Sequence, residues 1–132
     1  KPIYTMGEDE MDIGIGISGS PGRERVPMRP ARDIAEMLLQ KVLGDLKPAD
    51  GSQILTLISG LGGTPESELY ILYGEVHQRL RAAGYDPAYA LVGNYVTSLE
   101  QMGAALTVLE LDDELAALWR EPVHTSNLRW GM

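Results

Sequence analysis

Ile54–Tyr73, ILTLISGLGGTPESELYILY, is the stretch on which the fold turns. Ile54, Leu55, Leu57 and Ile58 form a short uncharged run, the pattern of a strand covered on both faces or nearly so. Gly60, Gly62 and Gly63 follow, and glycine allows backbone conformations that a Cβ forbids. Thr64 is placed to N-cap the next element, Pro65 suits its first helical position, and Glu66 and Glu68 favour the positive end of a helix. Leu69, Leu72, Tyr73, Val76, Leu80 and Ala83 recur at helical spacing, which predicts one apolar helix face. Gly84 is placed to end that helix. The stretch is one strand–turn–helix unit.

A glycine turn between strand and helix can hold an anion on its free N–H groups. GLGGTP has neither the lysine of a P-loop nor the G-x-G-x-x-G spacing. The carboxylates of Glu66 and Glu68 would also repel a phosphate. Gly60, Gly62, Gly63 and Thr64 are therefore read as a structural loop, serving tight packing or a domain interface.

The chain has 132 residues, which fits one domain, 1–132, with a real core. It is 44% hydrophobic and 23% charged, as in ordinary globular chains. A net charge of −8 argues against a nucleic acid or an anionic membrane as partner. No apolar run reaches the length of a membrane span. With no cysteine, disulfides and thiolate chemistry are excluded, which favours a cytoplasmic setting. The chain opens on Lys1-Pro2, and is expected to be a fragment or a domain of something longer.

Upstream, Glu8, Asp9, Glu10 and Asp12 form an acidic cluster read as a solvated turn. Ile13, Ile15 and Ile17 alternate with Gly14 and Gly16, the period of a strand. Ser18–Gly22 is a tight loop, Arg23–Arg25 is charged and exposed, and Val26–Met28 is a short edge strand. Ala31–Leu46 places Ile34, Met37, Leu38, Val42 and Leu46 on a helical face. Lys47–Gly51 is a turn into the central strand. Downstream, Tyr85–Pro87 reads as a turn and Tyr89–Val96 as a strand. Thr97 or Ser98 caps a short helix through Met102, ended by Gly103. Leu106–Leu111 is a strand, Asp112 caps a helix to about Trp119, and Pro122–Met132 is extended. Two long helices against a mixed sheet give an α/β, two-layer domain. Tyr89–Leu111 looks like a hairpin, which argues against an all-parallel sheet.

No active site assembles from spacing alone. His77 is expected to point off its helix into water, and His124 to be exposed or to cap. Neither sits beside a carboxylate pair, so no metal site is read. Asp112 and Asp113 are helix-start residues, and Trp119 and Trp130 packing anchors. Ser18 and Ser20 have no base nearby, and the serine-elbow spacing is incomplete around them.

Five blocks nevertheless resemble the dihydroxyacetone kinase family: Gly7–Met28 (GEDEMDIGIGISGSPGRERVPM), Ile58–Tyr73, Val92–Gly103 (VGNYVTSLEQMG), Leu106–Trp119 and Glu121–Thr125 (EPVHT). They cover nearly the whole chain and are similar to the C-terminal domain of the substrate-binding subunit. The DegV-like fatty-acid-binding fold shares this two-layer domain as a more distant relative. The resemblance implies a phosphotransferase acting on a small ketose such as dihydroxyacetone. It further implies an N-terminal substrate-binding domain carrying the acid and base, and a separate helical subunit or domain carrying ATP or ADP. No cofactor is expected in this chain, and a homo- or hetero-oligomer is.

In the family pattern the loop after the first strand reads G-I-H, and its histidine holds the substrate carbonyl carbon covalently. Here the loop reads Gly16-Ile17-Ser18, followed by Gly19. A neutral imidazole adds to a ketone near pH 7, whereas a serine hydroxyl needs an adjacent base. Ser18, Gly16 and Gly19 are thus the expected substrate-site residues, with Ser18 at the position of the covalent histidine. The readings left open are a kinase subunit with altered substrate capture, an inactive paralogue that regulates or scaffolds, and a truncated domain serving assembly.

Overall fold

In the computed structural model, which describes residues 6–16, 22–96 and 101–131, the run around Ile54 becomes the middle strand of a three-stranded sheet. In chain order the elements are β1 (Glu10–Ile13), β2 (Glu24–Pro27), α1 (Ala31–Leu46), β3 (Gln53–Gly60), α2 (Glu66–Ala82), β4 (Asp86–Gly93), β5 (Ala104–Leu111), α3 (Asp113–Arg120), β6 (Val123–His124) and β7 (Arg129–Trp130). The central sheet runs β4-β3-β5, with β4 parallel and β5 antiparallel to β3. β1 with β2, and β6 with β7, form separate antiparallel ribbons.

Alternation along β3 divides its side chains between two faces. Ile54 and Ile58 pack with Ala35 and Leu39 of α1 and with Leu69, Leu72, Val76 and Leu80 of α2. Leu55 faces the other way, against Leu111 of β5 and Ala116 of α3, with Tyr89 and Trp119 packed beside them. The two long helices and the mixed sheet are the two layers expected, and α3 adds a small cover on the back. Arg79 of α2 ties the helices together by donating to Glu36 of α1 at 3.0 Å.

α2 ends as its sequence predicts. Gly84 takes φ +89°, the Gly84 N–H donates to Arg81 O and the Tyr85 N–H to Leu80 O, both at 3.0 Å. Together these make a Schellman cap. Asp112 caps α3, its Oδ1 accepting from the Leu115 N–H at 2.8 Å.

Other expectations are corrected. The strand predicted over Ile13–Ile17 is β1 and ends at Ile13, because Gly14 adopts φ +82° and turns the chain; Ile17 lies outside the described residues. β2 starts two residues earlier than predicted. β4 likewise begins at Asp86, taking in what reads as a turn. Pro87 is tolerated there because β4 is an edge strand. β4 and β5 form no hairpin, since β3 lies between them. On α1 the buried line is Ala35–Leu39, and Leu46 is exposed. The short helix before Gly103 falls largely on residues 97–100, outside those described. Gln101, at its far end, bridges Gly62 in extended form. The C-terminal segment is extended as expected but folds back on itself, β6 on β7.

Two polar residues touch the sheet's stability. Thr56 is fully buried on the Ile54–Ile58 face, and its Oγ1 has no hydrogen-bond partner. A buried unpaired hydroxyl costs on the order of 1 kcal/mol or more. Thr56→Val should therefore raise the urea midpoint at unchanged m-value; an unchanged or lower midpoint would show that the hydroxyl is not a liability. Glu110 of β5 accepts from the Ser52 hydroxyl and from the Ala49 N–H. The Ser52 bond first, then the Ala49 N–H, hold its carboxyl below the usual glutamate range. A depressed folded pKa adds stability above the unfolded-chain value, and that stability is lost as pH falls through the folded value. Glu110→Gln should thus lower the melting temperature near neutral pH and converge with the parent in acid. Parallel melting curves over the whole pH range would contradict this.

Candidate functional site

In open α/β sheets ligands gather beyond the carboxyl ends of parallel strands. At that end of β3 and β4 lies the loop Gly60–Thr64. Ser59, 2% exposed, closes the strand. Its hydroxyl accepts from the Tyr95 N–H at 3.1 Å and the Val96 N–H at 3.0 Å, and donates to Gly60 O at 3.1 Å. One side chain therefore fixes where the chain leaves β4.

Gly60 is glycine because of crowding. A Cβ there would collide with Asn94 Oδ1 and meet Leu69 Cδ1 at 3.0 Å. Gly62 is glycine because of conformation, with φ +109°. The Gly63 N–H donates to Gln101 O at 3.0 Å, and the Leu61 N–H to Gly103 O at 3.2 Å.

Thr64 is not the helix cap. Pro65 occupies that position without a side-chain bond, and the helix starts at Glu66. The Thr64 hydroxyl instead donates to Gly103 O at 2.9 Å and accepts from the Gly103 N–H at 2.8 Å. The local sequence cannot distinguish this partner, 39 residues away, from the helix end beside it. The N–H groups of Leu61 and Gly63 are likewise committed, to Gly103 and Gln101. Tyr95 lies over Gly93, where a Cβ would meet its ring at 3.1 Å. Burial first, then Tyr70 and Glu66, push its hydroxyl pKa up.

The other expected site stands on the β1–β2 ribbon, a sheet of its own. The Arg23 N–H donates to Ile13 O at 2.8 Å and closes the base of the loop 14–22. Gly16 is half-buried on the outgoing limb; Ser18 and Gly19 lie outside the described residues. On the returning limb, a Cβ on Gly22 would fall 2.8 Å from the Asp12 carboxyl group. Asp12 is nearly buried, with Arg25 at 3.9 Å. Lys41 of α1 pairs with Glu24 of β2 at 3.1 Å and anchors the ribbon to the helical layer. Gly16 thus follows the β1–β2 ribbon, whereas the Gly60–Thr64 loop follows β3 of the central sheet.

His77 is not solvated as expected. It is half-buried, its Nδ1 3.3 Å from the Tyr73 hydroxyl and its ring edge-on to that of Tyr73. His124 is exposed. Trp119 and Trp130 pack on each other at 4.8 Å, and Trp130 Nε1 donates to Glu121 O at 2.9 Å. Among the described residues no three of His, Asp and Glu gather as a metal site, and no helix is long and apolar enough to cross a membrane. Sequence reasoning passes over Ser59 and Asn94. The one available signal is a polar residue ending an otherwise apolar strand.

Residues 1–127 match the Dak1 domain. The chain belongs to the Dak1 domain family. It is 39% identical over 113 residues to the dihydroxyacetone-binding subunit DhaK of the PTS-dependent dihydroxyacetone kinase 1 of Listeria innocua, covering 86% of this chain and 34% of that protein. To the corresponding subunit of the PEP-dependent kinase of Escherichia coli it is 33% identical, covering 99% and 44%. To the D-erythrulose kinase of Mycolicibacterium smegmatis it is 39% identical, covering 98% and 22%. Among solved structures it is similar to a dihydroxyacetone kinase operon co-activator, DhaQ, with TM-score 0.84 and 30% identity over 92% of this chain and 38% of that one. The dihydroxyacetone kinase of C. freundii shares the fold, with TM-score 0.77 at 23% identity, over 98% of this chain and 23% of that one. The Dak1 domain described here spans well under half the length of each of these relatives.

Thr64→Val keeps the shape and removes both bonds to Gly103. It should destabilise the fold by roughly 1–3 kcal/mol, because Gly103 loses a donor and an acceptor together. Thr64→Ser should recover most of that. Gly62→Val should also lower the melting temperature, since β-branched residues avoid positive φ. If Thr64→Val and Gly62→Val both melt like the parent, the loop is not the constraint that this geometry makes it.

Proposed function

We propose that this chain is a single α/β domain, 1–132, of a dihydroxyacetone-kinase-type phosphotransferase that acts on a small ketose in the cytoplasm. The observation that carries the reading is the family match through residues 1–127, and Gly16-Ile17-Ser18-Gly19, read here as the substrate loop, lies within that span. Relatives named for dihydroxyacetone and for erythrulose support a short ketose as the substrate class. Ser18 donates a hydrogen bond to the substrate carbonyl without forming a covalent bond, and Gly16 and Gly19 let the backbone approach. The acid and base come from a substrate-binding domain on the N-terminal side, and ATP or ADP from a helical subunit or domain. The Gly60–Thr64 end of the sheet serves assembly with these partners.

A second reading has an observation of its own. The likeness to an operon co-activator, at TM-score 0.84 and 30% identity, fits a ketose-sensing regulator as well as a kinase. Loss of the covalent histidine fits that role too.

ADP formation separates the possibilities. The chain by itself, given ATP and dihydroxyacetone, should stay at the no-protein blank, having neither the acid and base nor a nucleotide site. With the N-terminal domain and nucleotide subunit of a relative supplied, the kinase reading requires ketose-dependent ADP formation. Intact mass should show no adduct on the natural chain, and Ser18→His should gain one or tighten ketose binding. Assembly without turnover in either form favours the regulator. An adduct mapped to Ser18 overturns non-covalent capture.

A further inference from the structure

Three aromatic rings from three separate elements meet beside β4. Tyr89 comes from β4 itself, Trp119 from α3 and Trp130 from β7. Trp119 lies 4.8 Å from Trp130 and 6.5 Å from Tyr89, with tilted ring planes. With Ala90, Leu91 and Arg120 they line an open groove of about 270 Å³. Tyr89 and Trp119 also pack on the Leu55–Leu111–Ala116 core, but Trp130 belongs to neither core cluster. The bond from its Nε1 to Glu121 O, 2.9 Å, holds it at the groove while the residue stays half-buried.

Arg120, the exposed last residue of α3, adds the one charge among the lining residues. Its Nη1 donates to the Tyr89 hydroxyl at 3.3 Å. Arg25, Arg32, Lys41 and Arg79 each pair with a carboxylate, whereas among the described residues none pairs with Arg120. A planar guanidinium fixed beside aromatic rings and left without a counter-ion is complementary to an anion carried on a flat ring.

We infer that this groove binds a small planar aromatic ring bearing an anionic group, the chemistry of a purine nucleoside monophosphate. The ring stacks on the tryptophan and tyrosine faces, and the anion takes the forked N–H donors of Arg120. Arg120 disfavours a cation, and a polyol has no π face to stack. A nucleic-acid strand is disfavoured by the net charge of −8. One small anion is not, since charges beyond about 8 Å are screened at physiological salt. The volume lies just under the roughly 300–1,000 Å³ of small-molecule pockets, room for one ring system and a short arm. None of the lining residues belongs to the Gly60–Thr64 loop or to the ribbon loop 14–22, so this site does not rest on the kinase reading.

Trp119 and Trp130 are the two tryptophans of the chain, so its tryptophan fluorescence reads this groove alone. AMP titrated into the chain should quench it saturably, with half-saturation at about 0.1–1 mM, the range that stacking plus one exposed ion pair supports. In two-dimensional NMR the indole N–H signals of both tryptophans and the Ala90 amide should shift, while the Gly62 and Gly103 amides stay. Adenosine, lacking the anion, should bind about five- to tenfold more weakly, and inorganic phosphate should neither quench nor shift. Arg120→Gln should bring AMP down to the affinity of adenosine and leave adenosine unchanged. Absence of saturation at millimolar AMP, or shifts away from the groove, overturns the inference. So does adenosine binding as tightly as AMP, phosphate binding as tightly as AMP, or an unaltered AMP affinity in Arg120→Gln. The comparison of the three ligands on the parent chain decides even if Arg120→Gln fails to fold.

Discussion

The fold rests on one strand held from four sides. β3 pairs with β4 along one edge and β5 along the other, while Ile54 and Ile58 press into α1 and α2 and Leu55 into α3. Backbone pairing fixes the register, and the register fixes which side chains enter which core: a slip of one residue would turn Ile54 and Ile58 to the wrong face. The elements of the two central layers take their positions from this strand. α2 is the direct continuation of its polypeptide, β4 and β5 are its neighbours, and α1 packs on α2.

What the sequence made legible follows from this. The apolar run, the helical period from Leu69 to Leu80 and the caps at Gly84 and Asp112 are local signals, and local physics reproduces them. The antiparallel component of the sheet was also readable, but not its cause. Strand order depends on contacts between residues far apart in the chain, and periodicity has no information on them. Hence β4 and β5 look like a hairpin in sequence and flank β3 in space. The boundaries of β1 and β4 were displaced for single-residue reasons: the positive φ of Gly14 and the tolerance of an edge strand for Pro87.

The site was legible in part, and for a physical reason too. The glycines of the Gly60–Thr64 loop announce an unusual backbone, and two of them are needed for different causes, crowding at Gly60 and conformation at Gly62. The hydroxyls of Ser59 and Thr64 carry no such announcement. A threonine before Pro-Glu-Ser-Glu satisfies the local rule for a cap, and only the arrival of Gly103 in space redirects it. Side-chain hydrogen bonds of this kind compete with local motifs, and tertiary contact decides the outcome.

These two hydroxyls also explain how the far end of the sheet stays ordered beyond its ladder. Past Gly60 and Gly93 the strands separate, and backbone N–H groups lose their ladder partners. Ser59 takes up two of them, at Tyr95 and Val96, and Thr64 takes up one at Gly103. The chain leaving β4 is therefore fixed to the sheet by the Ser59 side chain, and the helix-side loop by Thr64 together with backbone bonds from Leu61 and Gly63 to Gly103 and Gln101. The β1–β2 ribbon is built on the opposite plan, with its loop base closed by a backbone bond from Arg23 to Ile13 and its outer attachment made by the exposed pair Lys41–Glu24. An exposed ion pair contributes little to stability. The ribbon's tie to the helical layer therefore adds little to the core that β3 holds together.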